Sequence, residues 1–120
     1  MNFVDMKNLL NSVSDPMMKL ELVMDFGKGL LPVPQNATCT EIAGCTSFVE
    51  ICRDGNRFYG RADSAIVAGI VAIFIAMVDG KEDAEIKNIN LAQEFCELNL
   101  QLGAGRLNGV NSMISFFQNL

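Results

Sequence analysis

Between Asp63 and Asp79 the chain runs for 15 residues, Ser64 to Val78, without a charge, and nearly all of them are apolar. Such a run has no polar stripe to turn toward water, so a helix built from it must be covered on every side. At about 1.5 Å per residue it extends roughly 22 Å, short of the roughly 30 Å hydrocarbon layer of a bilayer. It therefore reads as the central helix of a core and not as a membrane span. Half of the 120 residues are hydrophobic, enough for one core. No linker, low-complexity tract or repeat divides the chain, so residues 1–120 are expected to form a single domain.

The elements around that helix follow from local patterns. Phe3, Met6, Leu10 and Val13 recur at helical spacing. Ser14-Asp15-Pro16 stops that helix and starts another, with Asp15 as N-cap and Pro16 at the first helical position. Met17, Leu20 and Met24 continue it, and Gly27 and Gly29 are expected to end it in left-handed geometry. Pro32 and Pro34 force an extended connection. Thr38 to Ile42 and Ser47 to Arg53 have strand composition, and Asp54-Gly55 predicts a hairpin turn with positive φ at both central residues. Arg57 to Arg61 returns as the partner strand. After the central helix, capped by Asp63 or Ser64, come a short acidic-headed helix, one over about Leu91 to Leu98, and one over about Gly105 to Gln118. The order indicates an α+β fold, a small antiparallel sheet of two to three strands packed with flanking helices.

Charge narrows the function classes. The net charge is −5, and the nine Lys and Arg residues are scattered, so no nucleic-acid partner is expected. Only Arg53, Arg57 and Arg61 cluster, as a solvated sheet edge would. The amino terminus has no basic region before an apolar run, hence no secretory signal and no membrane association is expected. The Asn36-Ala37-Thr38 sequon is then accidental. There is no histidine, which excludes Ser-His-Asp and Cys-His pairs and any imidazole ligand. No glycine loop has the strand-to-helix setting that phosphate binding requires.

Thiols are what remains. Cys39, Cys45 and Cys52 are separated by five and six residues, wider than the paired spacing of zinc sites, so no metal site is expected. With no sign of export, the four cysteines are expected to be reduced and the protein cytoplasmic. Cys52 lies within a predicted strand and Cys96 on a helix beside Phe95; both read as small apolar fillers. Cys45 differs. Ala43 and Gly44 leave little bulk beside it, and its segment lies between two strands, where a turn tip would expose it. A thiolate so placed can meet another protein's sulfur without obstruction. Cys39 is a lesser candidate, as a resolving thiol or simply a strand residue.

Three blocks in order carry a resemblance. Ala43-Gly44-Cys45-Thr46-Ser47, preceded by Pro34-Gln35-Asn36, resembles the Gly-Cys-x-Ser signature of the SufE/CsdE sulfur acceptors. Gly60 to Gly69 resembles that family's Gly-x-Ser-Asp-Ala-x-Ile-Val-x-Gly block. Leu102 to Gly109 resembles its Leu-Ser-x-x-Arg-x-x-Gly block. The likeness covers about residue 15 to the C-terminus. Three positions depart from the pattern: Glu50 stands where the family usually has tryptophan, Ala68 where it often has lysine, and Gly103 where it has serine.

The resemblance implies a fold like that of IscU-type scaffolds and a role in iron–sulfur cluster assembly. Cys45 would accept the terminal sulfur of a persulfide held by a SufS/CsdA-like, pyridoxal-phosphate-dependent cysteine desulfurase, and so stimulate that enzyme. It would pass the sulfur to a SufBCD-like scaffold. The chain would have no cofactor of its own beyond a covalent persulfide on Cys45, and would be a carrier and not an independent enzyme. In the family the cysteine loop is thought to rest against an apolar cavity and swing out on docking. Gly44 and Ser47 would then shape the loop. Asp63 would fix it or a partner surface, and Arg106 would favour the thiolate. The alternatives are an IscU-like cluster scaffold, which needs converging thiols, and a non-covalent regulatory module of a desulfurase. A homodimer is compatible with all three.

Overall fold

The structure, a computed structural model, describes all of residues 1–120. Its elements are α1 (Phe3–Asn11), α2 (Pro16–Gly27), β1 (Thr38–Glu41), β2 (Val49–Asp54), β3 (Arg57–Ala62), α3 (Ala65–Val78), α4 (Asp83–Lys87), α5 (Leu91–Cys96) and α6 (Ala104–Gln118). The three strands form one antiparallel sheet in the order β1-β2-β3. This is the α+β architecture expected from the sequence. No helix is long and apolar enough to cross a membrane.

α3 occupies the centre, as its composition demands. Val71, Ile73, Phe74 and Val78 are fully enclosed, and Ile70 almost so. Phe74 stacks on Phe95 of α5 at 5.1 Å between centroids and meets Phe117 of α6 at 6.1 Å. Ser64 caps the helix through its hydroxyl, which accepts from the Val67 N–H, so Asp63 stands just outside as a free side chain. Asp79 ends it and also accepts from the Phe58 N–H at 2.9 Å, joining the helix end to β3.

α2 crosses α3 at very short range. A Cβ on Gly69 would lie 1.9 Å from the Val23 carbonyl oxygen, and one on Gly27 would lie 2.7 Å from the Gly69 backbone nitrogen. Gly27 and Gly29 do not adopt the positive φ expected for them. Gly27 is needed instead for this backbone-to-backbone approach, and Ala68 at the same crossing is small for the same reason. Neither fact is visible along one helix. Lys19, almost wholly buried, reaches from α2 to the carbonyls of Leu98 and Asn99, at 2.9 and 3.3 Å.

Helices cover the sheet face that presents Val49, Ile51 and Phe58; Glu50, Cys52, Tyr59 and Arg61 lie on the other, by strand alternation. The β2–β3 turn is Gly55-Asn56, with positive φ at Gly55 alone, one residue later than expected. Each clustered arginine has a carboxylate partner: Arg53 with Asp83, Arg57 with Asp79 and Arg61 with Glu50.

The cysteines depart most from expectation. Cys39 and Cys52 stand directly opposite in the β1–β2 register and form a disulfide, with Cα atoms 4.0 Å apart. They are therefore not reduced thiols. Cys96 is exposed at the end of α5, while its neighbour Phe95 takes the core position.

The α2–α3 crossing yields a direct test. Gly69→Ala is expected to destabilise the fold by at least about 2 kcal/mol, because backbone and not a mobile side chain must yield. Urea unfolding with an unchanged midpoint would show that the crossing is not this close.

Candidate functional site

β1 and β2 are joined by a loop, residues 42–48, whose ends are pinned to the sheet. The Ile42 N–H donates to the Val49 carbonyl at 2.8 Å, and the Asp63 N–H donates to the Phe48 carbonyl at 3.2 Å. Ile42 itself is buried in the core. Between these anchors lie Ala43, Gly44 and Cys45, at the corner that the sequence suggested.

The thiol is not held out into solvent there. Cys45 is half-buried, with its sulfur turned onto α6 at Gly109; the sulfur lies 4.0 Å from the Gly109 carbonyl oxygen. A Cβ on Gly109 would come within 3.2 Å of that sulfur, so the absence of a side chain at 109 makes the seat. Gly44 has φ +87°, and a Cβ there would meet the Ser112 hydroxyl at 2.5 Å. Both glycines bring the loop backbone down onto α6. The shared cleft, lined by Cys45, Thr46, Ser47, Val67, Ile70, Gly105, Arg106, Gly109 and Met113, has a volume of about 10 Å³. That is about one water, so the space beneath the thiol is tight, whereas on its other side Cys45 borders a more open cleft of about 350 Å³ shared with Glu41, Phe48 and Val49.

Burial pushes the Cys45 thiol pKa above its ordinary value, and no other cause acts on it. Arg106 lines the cleft, but its guanidinium turns to the Leu102 carbonyl at 3.4 Å and braces the start of α6. Gly103 caps α6 with φ +81°, a conformation that would strain the serine the family pattern has there. Asp63 is exposed at the loop's carboxyl-side anchor, and Ser47 lines the cleft. The structure thus gathers Gly44, Cys45, Ser47 and Arg106 at one seat, with Asp63 at its margin. The residue that sequence reasoning passed over is Gly109, whose signal lay in the last position of the third block.

The other thiols do not join this group. The sulfurs of Cys39 and Cys52 and a Glu50 carboxylate oxygen lie within 4.8 Å of one another, and Cys45 is not among them. Three convergent cysteine ligands, which a cluster scaffold would need, are not assembled here.

Fold and site define a class: an α+β domain that carries one free thiol on a hairpin loop seated on a C-terminal helix. Residues 5–120 match the model of the SufE, Fe-S metabolism associated, domain. The chain is 35% identical over 102 residues to the sulfur acceptor protein CsdE of Escherichia coli (strain K12), covering 78% of this chain and 69% of that one. It is 33% identical over 104 residues to a SufE-like protein of Rhizobium meliloti (77% and 74% covered) and 30% over 114 residues to one of Synechocystis (88% and 70%). The chain belongs to the SufE family.

Two outcomes follow from the seat. Alkylation of Cys45 by iodoacetamide, followed in a Cys96→Ser background, is expected to have its pH midpoint above that of the same thiol unfolded in urea. Because the folded pKa is raised, the resulting stability is present below the unfolded thiol pKa and lost as pH rises through the folded value. Cys45→Ser should flatten that slope; a midpoint at or below the unfolded value would contradict the burial. Gly109→Ala should lift the loop and speed alkylation several-fold with little change in far-ultraviolet circular dichroism. An unchanged or slower rate would place the sulfur elsewhere.

Proposed function

We propose that this chain is a sulfur acceptor in iron–sulfur metabolism, with Cys45 as the acceptor thiol. The single observation that supports it most is the loop itself. It carries one free sulfur between two pinned ends, on a seat that the lack of a side chain at Gly109 makes possible. Membership of the SufE family and likeness to a protein named as a sulfur acceptor point the same way.

In this reading the donor is a cysteine desulfurase that carries a persulfide on its own cysteine. The Cys45 thiolate attacks the terminal sulfur, a new S–S bond forms at Cys45, and the desulfurase cysteine leaves as a thiolate. Electrons and atoms balance without a further reagent. The desulfurase, relieved of its sulfur, returns to turnover, so the acceptor stimulates it. Cys45-S-SH then gives up its outer sulfur to a cluster-assembly scaffold of the SufBCD kind, in the cytoplasm.

The resting conformation suits storage better than transfer. The thiol is held protonated by burial, and the cleft beneath it is narrow. Docking that lifts the loop raises both thiolate fraction and access. Arg106 stands at the cleft, where its guanidinium can turn from the Leu102 carbonyl toward the emerging thiolate. Asp63 and Ser47 belong to the rim that a partner would touch.

Incubation with a cysteine desulfurase and free cysteine, followed by intact mass measurement, tests the proposal. One added sulfur atom is expected on the parent and none on Cys45→Ser, which should fold normally because the Cys45 side chain is only partly buried at the margin of the core. Retained desulfurase binding with no sulfur on the parent would instead mark a non-covalent regulator. Arg106→Gln is expected to slow sulfur acceptance roughly tenfold, about 1.4 kcal/mol, without weakening binding to the desulfurase. An unchanged rate would leave Arg106 as a brace of α6 only.

A further inference from the structure

The Cys39–Cys52 disulfide lies in the same hairpin that carries Cys45, six positions before that cysteine and seven after it. β1 is otherwise weakly held. It is a four-residue edge strand, every residue of it is exposed, and it pairs only with β2. The rung between the disulfide and the loop on the same face sets Glu41 directly opposite Glu50. Like charges across a rung destabilise the pairing. Arg61 reaches Glu50 at 3.6 Å from the other side, but Glu41 has no cation of its own in the ion pairs. Beyond that rung, only the Ile42–Val49 hydrogen bond and the buried Ile42 side chain hold the first stem of the loop. The covalent link thus holds an edge that its side chains push apart.

We propose that Cys39 and Cys52 form a reducible staple that controls how readily the Cys45 loop leaves α6. Oxidised, the staple keeps β1 on β2 and the loop seated at Gly109. Reduced, it lets β1 fray from the sheet edge and frees the loop. The two sulfurs differ in access: Cys39 is exposed and Cys52 is fully buried, beside the Glu50 carboxylate at 3.5 Å. A dithiol reductant therefore attacks Cys39. Its thiolate forms a mixed disulfide with the Cys39 sulfur, and Cys52 leaves with the electron pair of the broken bond and takes a proton. The reductant's second thiol then closes its own disulfide and releases Cys39 as a thiol. The dithiol is oxidised by two electrons and the staple reduced by two. In a reducing compartment such a bond is a transient, redox-responsive feature and not a permanent brace.

The consequence for sulfur transfer rests on the reading of Cys45 as acceptor; the staple itself does not. The test uses the full chain with Cys96→Ser, leaving Cys45 as the one free thiol of the oxidised form. Iodoacetamide labelling of Cys45, resolved by peptide mass, is measured on the oxidised protein, after dithiothreitol, and after reoxidation. It is repeated on Cys39→Ser/Cys52→Ser, with circular dichroism to confirm folding. Cys45 is expected to label roughly tenfold faster in the reduced protein and in the double variant, and slowly again after reoxidation. Equal labelling rates in oxidised and reduced protein would overturn the proposal, as would recovery of Cys39 and Cys52 as free thiols after exposure to oxidised glutathione. Desulfurase and cysteine are then added to both forms. Faster sulfur gain on the reduced form extends the control to transfer. No sulfur in either form, with labelling still redox-dependent, refutes the acceptor reading and leaves the staple standing.

Discussion

The fold depends on covering a helix that has no polar side. α3 has no polar side, so its neighbours bury nine of its 14 residues, and the closest contacts use the smallest residues. α2 meets it through Gly27, Ala68 and Gly69, backbone against backbone. β3 meets it at Gly60, where a Cβ would lie 2.4 Å from a Val71 methyl. α5 and α6 close the far side with Phe95 and Phe117 around Phe74. Because close packing tolerates little displacement, these contacts fix the sheet against the helices. They thereby fix the separation between the start of β2 and α6, which is where the loop of Cys45 must fit.

That helix was legible in the sequence, and so was most of what flanks it. An uncharged run bounded by Asp63 and Asp79 can be little else than a central helix. Pro16 after Asp15, and Gly80 after Asp79, punctuate in ways that local chemistry explains. What the sequence did not show is what passes between elements. Gly27 and Gly29 sit at a helix end, where left-handed geometry is the ordinary reason for glycine; the real reason for Gly27 lies on another helix. Cys39 and Cys52 fall thirteen residues apart, and nothing local states that they share a rung. Register is decided by the whole sheet, and a shift of one residue would put them on opposite faces. Cys45 was found through small neighbours and family likeness. Its turn inward came only with the family likeness and not from the residues themselves, because it depends on Gly109 lying across from it. Cys96 was misjudged for a similar reason: Phe95 takes the core and leaves its neighbour outside.

The site sets two demands against each other. A carrier thiol must be reachable, yet a persulfide left exposed would meet any thiol in solution. The seat on α6 turns the sulfur inward against Gly109 over a narrow cleft, which limits its reach at rest. Electrostatics act in the same direction. The raised thiol pKa means that resting protein has less thiolate than an open cysteine would, and leaving the seat restores it. Access and ionisation rise in a single movement, and no separate base is required.

Such a movement needs one firm end and one yielding end. The β2 side of the loop is firm: Val49 is fully buried, and β2 is bonded on both of its edges. The β1 side is an exposed edge with one pair of opposed carboxylates, held by its four-rung pairing with β2, by Ile42 and by one covalent bond. In the proposed release of Cys45 from Gly109, residues 38–44 are the side that yields while β2 stays in place. Gly44, already at positive φ, can change its backbone angles without a Cβ in the way. Placing the only disulfide on the yielding side makes the redox state of that bond the largest adjustable restraint on the motion. The same bond on the β2–β3 side would join strands already fixed by the core, and would have nothing to control.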